Sequence, residues 1–307
     1  MDRTIRTHEE LLDFYRQQTT TSAPGACEPL YDDLPADIPS LARVLHGILI
    51  HMWWISEQNY GLTLGDLKAA GRDILGEISL ATTEEMLERI IELDPRPLNQ
   101  RRDPNARLVG NCRDYSLLLV SILRSRGIPA RARTGAATYF VQDKPDFEDH
   151  WICEYWNTED VRWQQVDAQI DGVMRATMNL RCDPTDLPPG AFLTGWQCYD
   201  ALSSGRVKPA QLGYGPDFNG MQYVRQKLLA DLASVTGQEI LPWAAWGIGT
   251  GGTTSDSDKQ ITEQIADILR QIDDPVGLEQ ARSLIATHPR VKRPEGYSAG
   301  RFQEAWL

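Results

Sequence analysis

Three residues of this chain have the types and the order that nucleophilic chemistry needs: Cys112, His150 and Asp167. Cys112 follows Gly110 and Asn111 and opens the run CRDYSLLLVSILRSRG, whose apolar spacing predicts a helix. Asn111 suits the cap position, and Gly127 closes the helix after Arg124 and Arg126 in its last turn. A cysteine in the first helical turn faces the positive end of the helix dipole and unsatisfied amides, which favour its thiolate. A thiolate nucleophile needs a base that also returns a proton, and that imidazole needs an acceptor to orient it. Of the five histidines at 8, 46, 51, 150 and 288, only His150 begins a predicted strand in the same compact unit as Cys112. Asp167 lies in the next strand. A hairpin of HWICEYW and RWQQVDA turning near residues 158–159 sets residue 150 opposite about 167.

Other residues could serve the same site. Arg113 and Asp114 follow the nucleophile and either border a cleft or lie on the exposed side of the helix. Trp151 follows the base; with Trp53, Trp54, Trp156 and Trp163 it either lines an aromatic cleft or packs. Arg113, Asp114 and Trp151 are the substrate-binding candidates. An oxyanion would be held by the Cys112 N–H and a second donor, with Trp53, Trp54 and Tyr60 as candidates. Arg131 and Arg133 alternate along one strand and so share a face, read as solvated in preference to a carboxylate site. Glu148 and Asp149, beside His150, could raise its pKa or meet a cationic substrate, and read in preference as part of a solvated loop. Cys153 reads as core, and Cys27, Cys182 and Cys198 as unreactive.

The elements that must position these residues fall into three parts of a single compact unit. Residues 1–100 read as helical, with predicted helices over 8–18, about 40–58, 66–77 and 84–93, the last opening on the capping-box sequence TTEE at 82–85. Residues 101–175 hold the helix of Cys112 and then β-branched and aromatic runs of period two, IPARARTGAATYFV, HWICEYW and VRWQQVDAQI. A loop over 141–149 separates the first two runs. Residues 176–307 turn irregular and then helical. A Pro-rich turn opens a helix to about 204, followed by helices over 219–237, 258–273 and 277–287, with a loop at 247–258. One helix followed by an antiparallel meander, with helical additions on both sides, is an α+β class.

Composition excludes several functions. With 31 basic against 43 acidic residues among 307, the net charge of −12 opposes nucleic acid and anionic membranes as partners. Five widely spaced cysteines do not read as a disulfide scaffold, and none forms C-x-x-C. His46 and His51 are five apart, the wrong spacing for a helical metal pair, and read as helix-face residues. No EF-hand spacing occurs, so neither metal nor cofactor is expected. The run 247–252 matches G-x-G-x-x-G but lacks a strand before it. No apolar leader or membrane span is seen, and the default is a reduced, cytoplasmic setting.

The runs GNCRDYSLLLVSILRSRGIPAR, DHWICEYW and WQQVDAQ together resemble the transglutaminase-like core, a papain-type cysteine superfamily that includes transglutaminases, bacterial proteases and peptide N-glycanases. The resemblance covers about residues 108–170, roughly a fifth of the chain. It implies Cys112 as nucleophile, His150 as base and Asp167 as its orienter. The family's His-Ala-Trp is here His-Trp, which shifts the aromatic. The flanking helices resemble a bacterial variety of the family, and no substrate carries over. The implied chemistry is acyl transfer through a Cys thioester. Hydrolysis of an amide in a peptide or small molecule is the leading expectation. Delivery of the acyl group to an amine, or a binding module that has kept the fold without catalysis, are the alternatives.

Overall fold

The computed structural model describes residues 4–140, 147–214, 218–251 and 255–303. Helices in chain order are α1 (His8–Arg16), α2 (Ile38–Ile48), α3 (Glu57–Tyr60), α4 (Leu64–Ala69), α5 (Ile74–Ile78) and α6 (Thr83–Leu93). They continue with α7 (Cys112–Ser125), α8 (Gly172–Thr177), α9 (Gly195–Ser203), α10 (Gly220–Val235), α11 (Asp256–Arg270) and α12 (Pro275–Thr287). Strands are β1 (Leu49–His51), β2 (Leu108–Gly110), β3 (Ala130–Ala137), β4 (Glu148–Asn157), β5 (Arg162–Val166) and β6 (Phe192–Thr194). This is the expected α+β class. Most of the loop expected over 141–149, residues 141–146, lies outside the described residues, as does 252–254 of the loop at 247–258. Among the described residues no helix is long and apolar enough to cross a membrane.

The elements form two compact units that interleave along the chain. The first takes the chain to Gln17, then Arg131–Trp151 and Pro188–Ala299; the second takes Gln18–Ala130, Ile152–Leu187 and the chain from Gly300. The division cuts β4 between Trp151 and Ile152.

The first unit is built around α10, which is buried continuously from Tyr223 to Val235. It packs against α9, α11, α12 and the short turn at 247–250. Helix α1 starts on a capping box, Thr7 with Glu10, and buries Leu11, Leu12 and Tyr15. Its strands run β4-β3-β6, with β3 and β6 antiparallel from Gly135↔Thr194 to Ala137↔Phe192. Strand β6 stands where sequence predicts only a turn and the start of a helix; three residues are too few to carry a strand period.

The arginine face of β3 departs from expectation. Arg131 and Arg133 are buried, because α10 and its neighbours cover the face that reads as solvated. Each guanidinium meets a carboxylate, which such burial requires. Arg133 Nε and Nη2 donate to the two oxygens of Asp231 on α10, both at 2.8 Å. Arg131 Nη2 donates to Asp273 at 2.6 Å and its guanidinium lies 5.1 Å from the Tyr15 ring centroid. Ser234 Oγ donates to the Ala132 carbonyl at 2.6 Å, a further tie between α10 and β3.

In the second unit α2 stops at Ile48 instead of running to 58. Leu49–His51 turn extended and pair in parallel with β2, Leu49↔Leu108 through His51↔Gly110. The apolar run is continuous across this change, and a ladder to residues almost sixty positions away decides it. His46 therefore lies on a helix, whereas His51 lies on a strand. The helix predicted over 66–77 is two short ones, α4 and α5, capped separately by Thr63 and Asp73. Helix α6 begins on the Thr82–Glu85 capping box as expected. Strand β5 pairs with the end of β4, Cys153↔Val166 through Asn157↔Arg162. The turn spans 158–161: Asn157 Oδ1 accepts from the N–H groups of Glu159 at 2.9 Å and Asp160 at 3.2 Å, and Val161 adopts φ +52°. It is wider and later than a turn near 158–159, which would set Cys153 opposite 164. One residue past the last pair, Asp167 comes level with Ile152, not with residue 150.

Candidate functional site

Cys112 is the first helical residue of α7 and is buried. The turn around it is held by reciprocal capping. Asn111, extended at φ −130° and ψ 179°, offers Oδ1 to the Arg113 N–H at 3.0 Å. Asp114 Oδ2 accepts from the Asn111 N–H at 2.9 Å. Gly110 makes room for this: a Cβ there would stand 2.9 Å from Asp114 Oδ2. Ser116 Oγ donates back to the Cys112 carbonyl at 2.9 Å. The strand leading in is fixed by buried Glu77, which accepts from Arg72, from Arg89 Nη2 at 2.9 Å and from the Val109 N–H at 3.2 Å.

Arg113 and Asp114 are both fully inside. Arg113 donates to the Ala81 carbonyl at 2.5 Å, the Leu80 carbonyl at 3.4 Å and Asp114 Oδ1 at 3.2 Å. These bonds fasten α7 to the entry of α6. Burial pushes the Asp114 carboxyl up to about 6, against the pull of Arg113 and the Asn111 N–H.

Asp167 is buried just past β5, in the same unit. Its Oδ1 accepts from the Gln169 N–H at 3.0 Å, and its own N–H donates to the Pro184 carbonyl at 2.7 Å. The Ala168 carbonyl lies 2.9 Å from His46 Nε2, so that nitrogen carries the proton. Burial lowers the His46 pKa and keeps the ring neutral. Asp171 caps α8 through Met174 N–H at 2.9 Å and accepts from the Tyr60 hydroxyl at 2.9 Å. Burial, then Asp171, push the Tyr60 phenol up.

His150 and Trp151 lie in the first unit, both buried on β4. The imidazole centroid is 4.8 Å from the Phe140 ring, 6.1 Å from Tyr139 and 6.5 Å from Phe192, all edge-on. Thr134 Oγ1 donates to the His150 carbonyl at 3.4 Å. Asp149, read from sequence as a solvated loop residue, is instead inside and forms an ion pair with Lys227 of α10.

Cys112, Arg113, Asp114 and Asp167 thus share the second unit, and His150 and Trp151 belong to the first. Of the oxyanion candidates, Tyr60 already donates to Asp171. Trp53 is 56% exposed with its ring 6.4 Å from that of Phe302. Tyr60 also borders a cavity of about 370 Å³ in the second unit with Leu62, Leu67, Arg72 and Asn105. The other four cysteines are free thiols: burial pushes Cys27, Cys153, Cys182 and Cys198 all up, away from the thiolate. The core reading of Cys153 holds. Among the described residues no three His, Cys, Asp or Glu side chains group as a metal site needs.

Sequence reasoning missed His46, Glu77, Lys227 and Asp231 as supports. Only the last two left a signal, as opposite charges four apart with Leu228, Leu229 and Ala230 between them.

Residues 81–168 match the family model described as the transglutaminase-like superfamily. The matched span contains Cys112, His150 and Asp167 and ends one residue past the last of them. No curated protein and no solved structure matches the chain.

Proposed function

We propose that this chain is a cysteine-dependent acyl-transfer enzyme whose transglutaminase-like domain hydrolyses an amide bond through a Cys112 thioester. One observation carries the reading. Within the span that matches the superfamily, a cysteine stands first in a helix whose entry is locked by Asn111, Asp114 and Gly110. That position lends the positive end of the helix dipole to a thiolate.

In this reading the Cys112 thiolate attacks the carbonyl carbon, and the C=O electron pair moves to an oxyanion held by the Cys112 N–H. His150 takes the thiol proton and gives it to the departing amine, whose C–N bond breaks as the thioester remains. Water, deprotonated by His150, then attacks the thioester and the thiol leaves. Asp167 orients the imidazole. The order and types of the residues support these roles. Arg113, Asp114 and Trp151 suit positioning better than substrate contact, because all three are buried and Arg113 is bonded to main-chain carbonyls.

Alkylation by iodoacetamide at pH 6–7, read by peptide mass spectrometry, tests the nucleophile. Cys112 is expected to react well ahead of a free model thiol and of the other four cysteines. Reaction no faster than the model thiol would sink the proposal, as would unchanged turnover in Cys112→Ala. Adding a primary amine to an active assay separates the two outcomes: amide product in place of acid identifies the acyltransferase.

A further inference from the structure

Helix α10 carries three buried charges, Arg225, Lys227 and Asp231, of which the last two face partners on β3 and β4. Asp231 is matched by Arg133 of β3. Lys227 is matched by Asp149, the residue before His150. The ammonium also lies 5.5 Å from the Tyr214 ring centroid and 5.4 Å from that of Tyr223, a cation–π cage. The Tyr214 hydroxyl donates to Asp149 Oδ2. The Tyr223 hydroxyl lies 3.1 Å from Asp149 Oδ1 and 2.7 Å from the Gly135 carbonyl oxygen. Three side chains therefore converge on one carboxylate. Other titratable groups nearby are Glu148 at the start of β4, Asp231 with Arg133, and the Cys198 thiol on α9, which burial keeps neutral.

Successive side chains of a strand point to opposite faces. What grips Asp149 from one side of β4 leaves the imidazole of His150 on the other, against Phe140, Tyr139 and Phe192. A buried ion pair is seldom the most stable filling for its volume, and its better-attested use is to fix one arrangement. Lys227 lies well outside the span 81–168 that matches the superfamily, so its role belongs to this chain's C-terminal helices.

We propose that Lys227 is a positioning residue for His150: it pins the neighbouring Asp149 and neutralises its charge, so that β4 presents an imidazole undisturbed by an adjacent carboxylate. The proposal rests on the reading of His150 as the base.

The test follows the His150 titration by NMR of histidine-labelled protein in wild type, Lys227→Met, Tyr214→Phe and the double variant Lys227→Met/Asp149→Asn. With Lys227 gone, the Tyr214 hydroxyl still donates to a carboxylate that no ammonium balances, and the His150 midpoint is expected to rise by about one pH unit. Tyr214→Phe, at a half-exposed position, should give a smaller rise. The charge-neutral double variant should return to the wild-type midpoint, which a general loosening of the fold would not do. A folded Lys227→Met with an unmoved midpoint overturns the proposal. If that variant does not fold, an unmoved midpoint in Tyr214→Phe does so. Alkylation of Cys112 in the wild type is the separate arm: a rate that ignores the His150 titration sinks the catalytic reading, whereas the NMR result judges Lys227 alone.

Discussion

Asp114 reaches back to accept the N–H of Asn111 at 2.9 Å, so the residues on either side of Cys112 lock the turn in which it sits. The same carboxylate is the partner of the buried Arg113 guanidinium at 3.2 Å. One side chain therefore serves both the helix cap and the charge balance, and its loss should be felt twice.

Asp114→Ala is expected to lower stability by about 3–5 kcal/mol, the range for removing one partner of a buried pair. Asn111→Ala should cost about 1 kcal/mol, as for an ordinary cap. Urea denaturation monitored by tryptophan fluorescence measures both. Equal losses would show that the Arg113–Asp114 pair contributes nothing beyond the cap.

Stability should depend on pH through two opposing groups. Asp114, with its folded pKa raised to about 6, contributes stability that is fully present below the unfolded carboxyl value and lost as pH rises through about 6. His46, whose pKa is lowered by burial, contributes stability that is present above the ordinary imidazole value and lost as pH falls below it. Denaturation midpoints across pH 4–8 separate them. Asp114→Asn should remove the loss on raising the pH, and His46→Gln the loss on lowering it. A slope unchanged in either variant rejects that group's share.

Gly110→Ala should disturb the cap without removing a charged group. The new Cβ would stand 2.9 Å from Asp114 Oδ2 and 3.3 Å from Asp114 Cβ, so the carboxylate must let go of the Asn111 N–H or the strand must shift. We expect a loss of about 1–3 kcal/mol, typical of overpacking. Slower Cys112 alkylation should accompany it. Wild-type stability and wild-type alkylation together would reject the tight fit.

Arg133→Met alone strands Asp231 in the first unit's core and should cost about 3–5 kcal/mol, whereas Arg133→Met with Asp231→Leu should recover most of it. A thermal denaturation series of the two single variants and the double forms a complete cycle. Additive losses would mean that the two side chains act independently despite two bonds at 2.8 Å.

Local chemistry was the legible part. The cap at Asn111, the length of α7, the Thr82–Glu85 box and the last three helices could be read from spacing and cap residues, because each is decided within a few positions. Strand β1 could not be read. Leu49 and Ile50 continue the apolar pattern of α2, and only pairing with Leu108 and Val109 makes them extended. The β4–β5 register differs for a related reason: the polar residues centre the turn near 158–159, whereas Asn157 caps it and Val161 completes it two positions later. The charges misled most. Arg131, Arg133 and Asp149 alternate or cluster as solvated residues do, and their partners Asp273, Asp231 and Lys227 lie between 78 and 142 residues away. No local pattern announces a partner at that distance.

The interleaving of the two units bears on how the chain leaves the ribosome. Residues 1–17 of the first unit emerge early and bury α1 against α12, which begins only at Pro275. The strand that carries His150 must likewise wait for α10 before Asp149 meets Lys227. The carboxylate and ammonium that meet Arg133 and Asp149 come only with α10, and the carboxylate that meets Arg131 only with Asp273. Such late, long-range closure favours slow folding and exposes early segments to wrong associations. Neither unit can be cut out as one continuous stretch of chain, and a deletion from the N-terminus past residue 17 removes parts of both.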